Sequence, residues 1–150
     1  MKKLLISACL YGEKCRYDGG DNLIAELDLL RDKCTLIPVC PEVSGGLETP
    51  RNPSEIAGGR VVMNDGSDVT AEYTKGAEIA LGTALENGCE VALMKAKSPS
   101  CGSGKIYDGT FSRTLTDGDG ITVRLLKENG IKVFNETQIK ELVEYMELQR

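Results

Sequence analysis

Apolar positions along this chain follow two rhythms. Short continuous runs occur at Leu4-Leu5-Ile6, at Leu36-Ile37 with Val39, at Val91-Ala92-Leu93-Met94, and at Ile131 with Val133-Phe134. Such runs predict buried strands over 3–7, 35–39, 90–94 and 131–134. Between them, apolar residues recur at helical spacing. Asp21 or Asn22 is expected to cap a helix that carries Leu23, Ile24, Leu27 and Leu30 and ends at Cys34. Thr70 is expected to cap a long helix to about Asn87. Ala71, Tyr73, Ala77, Ala80, Leu81, Ala84 and Leu85 form its apolar face, and Gly88 is its stop. Two more helices are expected, over 121–129 and from Asn135 or Glu136 to about Glu147.

The remaining segments are polar. Val43 to Ile56 is loop-rich, with room for a helical turn over 54–57. Residues 60–63 and 67–69 read as a hairpin around Asn64-Asp65-Gly66. Strands alternating with helices predict an α/β fold. The expectation is a single three-layer domain over residues 1–150, with a mostly parallel, Rossmann-like sheet covered on both faces.

Composition narrows what such a domain is expected to do. The 150 residues carry a net charge of −5. No basic stripe is present, so duplex nucleic acid is not an expected partner. No apolar run approaches the roughly 20 residues of a membrane span. The first residues imitate a signal peptide briefly, but Gly12-Glu13-Lys14 breaks the pattern, and they read as the first strand of a cytoplasmic protein. Six cysteines in a reducing compartment point to metal or redox chemistry rather than a disulfide framework. The chain has no histidine. That excludes Ser-His and Cys-His dyads and imidazole zinc sites, and leaves proton transfer to Asp, Glu, Lys, Tyr or Cys.

Topology says which cysteines meet, because the carboxyl ends of parallel strands share one edge and ligands bind outside it. Cys9 follows the first strand and Cys40 the second. Cys101 sits in the loop after the strand ending at Met94. Cys34 and Cys89 precede strands, at the opposite edge, and are expected to be structural. Cys15 lies in the first loop, within reach. Three convergent thiols without imidazole suit a soft centre: zinc, Cu(I) or an iron–sulfur cluster. A cluster held by three cysteines rather than four keeps one iron open. The plainer alternatives are thiols that lie close and bind nothing, and a Ser98-Pro99-Ser100 segment that is ordinary turn chemistry. Gly118-Asp119-Gly120 precedes a helix whose free N–H groups are expected to face a ligand.

Four groups of residues form a more specific pattern. They are Cys9-Leu10-Tyr11-Gly12 with Arg16-Tyr17-Asp18-Gly19, and Cys40-Pro41-Glu42 with Gly45-Gly46-Leu47 and Pro50-Arg51. Then come Asp68-Val69-Thr70 with Gly76-Ala77, and Ser98-Pro99-Ser100-Cys101-Gly102 with Ile106-Tyr107-Asp108-Gly109 and Phe111-Ser112. Together they resemble the DUF523 family, whose characterised members are thiouracil desulfidases of the TudS type. The resemblance implies a [4Fe-4S] cluster held at Cys9, Cys40 and Cys101. It implies removal of sulfur from a small thiolated pyrimidine, 2- or 4-thiouracil in type, giving uracil and sulfide, with the open iron taking the substrate's sulfur. It also puts Glu42 and Ser98 at the family's proposed acid–base and hydrogen-bonding positions.

Those roles make physical sense. Glu42 follows Cys40 by two residues across a stiffening proline, so a proton it takes from water stays near the reacting carbon; the alternative is a loop carboxylate paired with Arg51. Ser98 is expected to hydrogen-bond the pyrimidine edge or the water. Lys97 is expected near the anionic sulfide or in solvent. Tyr17 and Tyr107 are expected to stack on the base or anchor loops. Two other classes of function compete. One is a non-catalytic iron–sulfur or zinc protein, a redox sensor or sulfur carrier, in which Cys15 completes four-thiolate ligation. The other is a metal-free cysteine nucleophile, Cys101 with Lys97 or Glu42.

Overall fold

The computed structural model describes residues 2–148. Its elements run β1 (Lys3–Ser7), α1 (Leu27–Lys33), β2 (Thr35–Val39), α2 (Pro41–Ser44), β3 (Ser54–Ala57), β4 (Arg60–Met63), α3 (Thr70–Asn87), β5 (Val91–Met94), β6 (Lys105–Tyr107), β7 (Leu115–Asp117), α4 (Ile121–Glu128), β8 (Lys132–Asn135) and α5 (Ile139–Leu148). The expected α/β architecture is present. Four strands form a wholly parallel sheet in the order β2-β1-β5-β8.

Strand alternation divides the core into two layers. Leu4 and Ile6 of β1 face a cluster with Leu27 and Leu30 of α1 and Leu142 and Met146 of α5. Leu5 faces the other way, onto Ala80 and Ala84 of α3 and Val123 and Leu126 of α4. Small residues on α3 let that helix lie close to the sheet. A third, smaller cluster joins Val61, Val69 and Tyr73, and holds the β3–β4 hairpin against α3. Among the described residues no helix is long and apolar enough to cross a membrane.

Several boundaries differ from those expected. The first helix begins at Leu27 rather than at Asp21 or Asn22. Asp21 Oδ1 instead accepts the Leu23 N–H at 2.9 Å, and the N–H groups of Asn22 and Ile24 bond back to Cys9 and Leu10 carbonyls. The apolar pair Leu23-Ile24 therefore belongs to a loop strapped onto the β1 loop. Residues 54–57 are a strand, not a helical turn, and pair antiparallel with β4. Segment 67–69 contributes only an isolated Val62–Asp68 bridge to the expected hairpin. Thr70 does not cap α3; its hydroxyl accepts the Val61 N–H at 2.8 Å, and Val69 occupies the cap position. The β6–β7 hairpin was not expected, because every residue of β7 is exposed and carries no alternation to read. The last helix starts at Ile139, later than expected.

Helices α2 and α3 meet with no side chain between them. A Cβ at Gly76 would lie 1.8 Å from the Pro41 carbonyl oxygen, and one at Gly45 would lie 2.0 Å from that of Glu72. Backbone touches backbone here, so neither neighbour can move aside. Gly76→Ala is expected to lower unfolding free energy by about 1–3 kcal/mol, read from denaturant midpoints at unchanged m-value.

Candidate active site

The chain leaves β1 toward β2 on one side of the sheet, and leaves β5 toward β8 on the other. The loops after β1 and β5 therefore part and open a crevice at the carboxyl edge. The cleft there has a volume of about 520 Å³. Cys9, Cys40 and Cys101 all line it, with Cys15, Glu42 and Ser98. Cys34 and Cys89 do not: each is buried in one of the two core clusters, before β2 and β5 as expected.

Each thiol is delivered by local backbone chemistry. After β1 the chain closes tight turns, with Leu10 N–H on Ser7 O and Tyr11 N–H on Ala8 O, which carry Cys9 over the sheet edge. Cys40 is extended, with φ −122°, and forms the N-terminal boundary of α2, where Pro41 fits the first turn. Beyond β5, Ser98 Oγ accepts the N–H groups of both Ser100 and Cys101 at 3.0 Å and folds the turn that buries Cys101. That turn docks on α4: Gly120, Ile121 and Thr122 N–H groups bond to the Gly102, Pro99 and Ser100 carbonyls at 2.8, 2.8 and 3.0 Å. The amides before and within the first turn of α4, expected to face a ligand, are thus consumed by the serine turn.

The thiols differ in their electrostatics. Burial pushes Cys101 up, and a hydrogen bond from the Ser7 hydroxyl opposes it. Ser7 Oγ also accepts the Lys95 N–H at 2.9 Å and donates toward Met94 Sδ at 3.7 Å, so Cys101 shares this hydroxyl with a second sulfur. Burial likewise raises Cys9, opposed by the Asn22 side chain. Arg16 Nη1 donates to Asn22 Oδ1 at 3.2 Å, which turns the amide nitrogen toward the thiol. Cys40 is lowered to about 7, chiefly by a hydrogen bond from the Cys15 thiol, with the Val43 N–H assisting. The same bond, followed by burial, raises Cys15. Cys40 Sγ also lies 3.9 Å from the Cys15 carbonyl oxygen, so the first loop approaches Cys40 through backbone and thiol alike. Cys9 and Cys40 each disfavour ionisation of Cys101, a repulsion that a cationic soft centre would relieve. Among the described residues no three thiols or carboxylates converge tightly enough for one metal ion. A four-iron cluster is larger than an ion and spans thiols set further apart, and three thiols with separate hydrogen-bond donors fit such a group.

Glu42 lies beside the thiols. Its Oε1 accepts the Tyr73 hydroxyl at 2.5 Å and stands 3.5 Å from Arg51 Nε. The pairing with Arg51 weighed from sequence is thus present, in a residue that also lines the cleft. Arg16 pairs with Asp18 at 3.2 Å. Tyr17 and Tyr107 both line the cleft. Lys97 is exposed at its mouth with φ 72°, and Phe111 and Arg113, at φ 56° and 60°, line the same cleft. These are the non-glycine residues with positive φ among those described, and such strain concentrates at functional sites. Glu55 holds the loop that carries Phe111 and Arg113, its Oε1 accepting the Gly109 and Phe111 N–H groups at 3.0 and 3.2 Å. Sequence reasoning missed Ser7, Asn22, Glu55, Tyr73, Phe111 and Arg113 as site residues. Only Phe111, inside a motif of the family pattern, carried a signal that could have found it.

Fold and cleft define an α/β protein in which four thiols, those of Cys9, Cys15, Cys40 and Cys101, line one cleft beside a tethered carboxylate. A family model described as 2-thiouracil desulfurase matches residues 4–138, and the chain belongs to that family. It is 39% identical over 150 residues to the uncharacterized protein YbbK of Bacillus subtilis (strain 168), covering 93% of this chain and 99% of the relative. It is also similar to the solved structure of the [4Fe-4S]-dependent thiouracil desulfidase TudS (DUF523Vcz), with a TM-score of 0.94 and 47% identity, covering 99% of each chain.

Proposed function

We propose that this protein is a [4Fe-4S]-dependent desulfidase that converts a thiolated pyrimidine of the 2- or 4-thiouracil type and water to uracil and sulfide. The observation that carries the reading is the meeting of Cys9, Cys40 and Cys101, from three separate loops, in one cleft of a chain of this family. These three cysteines hold the cluster. When bound, the cluster supplies a sulfur-seeking Lewis acid. Glu42 takes a proton from the attacking water and returns it to the ring nitrogen or the departing sulfide. Ser98 receives two N–H groups on its oxygen, so its hydroxyl hydrogen is left to donate to the pyrimidine edge. Lys97, at the mouth of the cleft, favours the anionic product. No observation favours the non-catalytic alternative. Six free cysteines support a reducing, cytoplasmic location.

Anaerobically purified protein is expected to contain iron and acid-labile sulfide, and to bleach the thiocarbonyl absorbance of 2- or 4-thiouracil. Full activity in metal-free protein would overturn the reading. Cys15→Ser is expected to keep its iron, since the three cysteines that hold the cluster are untouched; loss of iron would make Cys15 a ligand instead.

A further inference from the structure

We propose that Tyr73 is a positioning residue: it grips the Glu42 carboxylate by one oxygen and leaves the other to the chemistry. This rests on the assignment of Glu42 to proton transfer. The two carboxylate oxygens have unlike surroundings. Oε1 accepts the Tyr73 hydroxyl at 2.5 Å and faces Arg51 Nε at 3.5 Å. Among the described residues, no hydrogen bond reaches Oε2.

Arg51 and Tyr73 do different things to that carboxylate. The Arg51 guanidinium spends Nη1 on Glu48 O and Thr49 Oγ1 and Nη2 on Cys15 O. Its Nε is buried without any hydrogen bond, so it offers Glu42 charge but not direction. Direction comes from Tyr73. This side chain is 1% exposed and wedged between Val61 and Val69. Burial and the neighbouring Glu42 charge push its phenol far up, so it remains a donor.

The frame behind the pair is rigid. Tyr73 sits on α3 between Glu72 and Gly76, the residues whose backbone abuts α2 at Gly45 and Pro41. Donor and acceptor therefore ride on helices locked together without intervening side chains. A carboxylate held this way presents Oε2 in one rotamer. Without the phenol, the carboxylate retains charge compensation but can rotate, and fewer encounters are productive. This also gives a purpose to the Asp68-Val69-Thr70…Gly76-Ala77 motif, which contributes no ligand: it sets the start and the close-packed face of the helix that carries Tyr73.

The test is a double-mutant cycle on cluster-loaded protein. Tyr73→Phe is expected to lower kcat by about tenfold to thirtyfold with KM within about twofold, at parental iron content and visible spectrum. In a Glu42→Gln background the same change is expected to alter residual kcat by less than about twofold, because the group it acts through is gone. Equal losses in both backgrounds, or none in the parent, overturn the proposal while leaving Glu42 in place. Parental turnover in Glu42→Gln retires Glu42, and Tyr73 with it. If Tyr73→Phe does not accumulate folded, difluorotyrosine inserted at position 73 keeps the shape and changes only the strength of the donor. The stronger donor on Oε1 draws charge from the carboxylate and makes it a weaker base, so kcat is then expected to fall by about threefold or more at constant KM, and an unchanged kcat overturns the proposal.

Discussion

Serine at Cys9, Cys40 or Cys101 is expected to strip the protein of iron and acid-labile sulfide and to abolish its visible absorption. The change removes one atom of sulfur and almost no volume, so the fold should survive. The chemistry does not survive: an alcohol is a harder and far more basic ligand than a thiol, and the site has no spare imidazole to substitute for it. The Cys101 case is the most demanding. Its thiol is 5% exposed, in a turn held by Ser98 and by three amides around the start of α4, so no neighbouring group can swing into its place. Cys34→Ser and Cys89→Ser provide the contrast. Both lie in the core before strands, and Cys34 bonds Leu30 O at 3.2 Å, an acceptor serine can keep. They are expected to hold full iron at a modest cost in stability. Iron retained at the parental level in any of the first three variants would remove that cysteine from the ligand set.

Glu42→Gln is expected to keep the iron and lose turnover by about 10²- to 10⁴-fold, the range for removal of a positioned acid–base group. Glutamine has the same shape, and its carbonyl can accept the Tyr73 hydroxyl, so the α2–α3 contact is undisturbed. What disappears is the ability to take a proton from water. The Arg51 guanidinium, 4% exposed at its side chain, also loses a counter-charge. Some fall in stability is therefore expected alongside the loss of rate, and iron content separates the two effects. Single-turnover bleaching of the thiocarbonyl absorbance gives the rate. A variant with iron intact and turnover unchanged would take Glu42 out of the mechanism.

How much of the fold and the site was legible in the sequence depended on whether a residue's partner was near it in the chain. The strands at Lys3–Ser7, Thr35–Val39 and Val91–Met94 carry their own signature, since a strand buried on both faces is simply an apolar run. Helix α3 was readable from Thr70 to Asn87, because small and apolar residues repeat on one face. Strand β3 was not readable, because its inward residue is Glu55, satisfied by amides more than fifty residues away. Leu23 and Ile24 have helical spacing with Leu27, yet local side-chain and backbone bonds to the first loop hold them out of α1.

From sequence alone it followed that the sheet is mostly parallel, that Cys9, Cys40 and Cys101 lie at one edge and Cys34 and Cys89 at the other, and that proton transfer must avoid histidine. Each of these depends only on the order of elements and the residues present. The tertiary structure alone decided that Tyr73 grips Glu42 from 31 residues away, that Ser7 and Asn22 serve buried sulfurs, and that the start of α4 is spent on the serine turn. The physical reason is that a tyrosine or serine in an apolar run looks the same whether its hydroxyl serves the core or the site. Only the packing of distant segments determines which polar atom it meets.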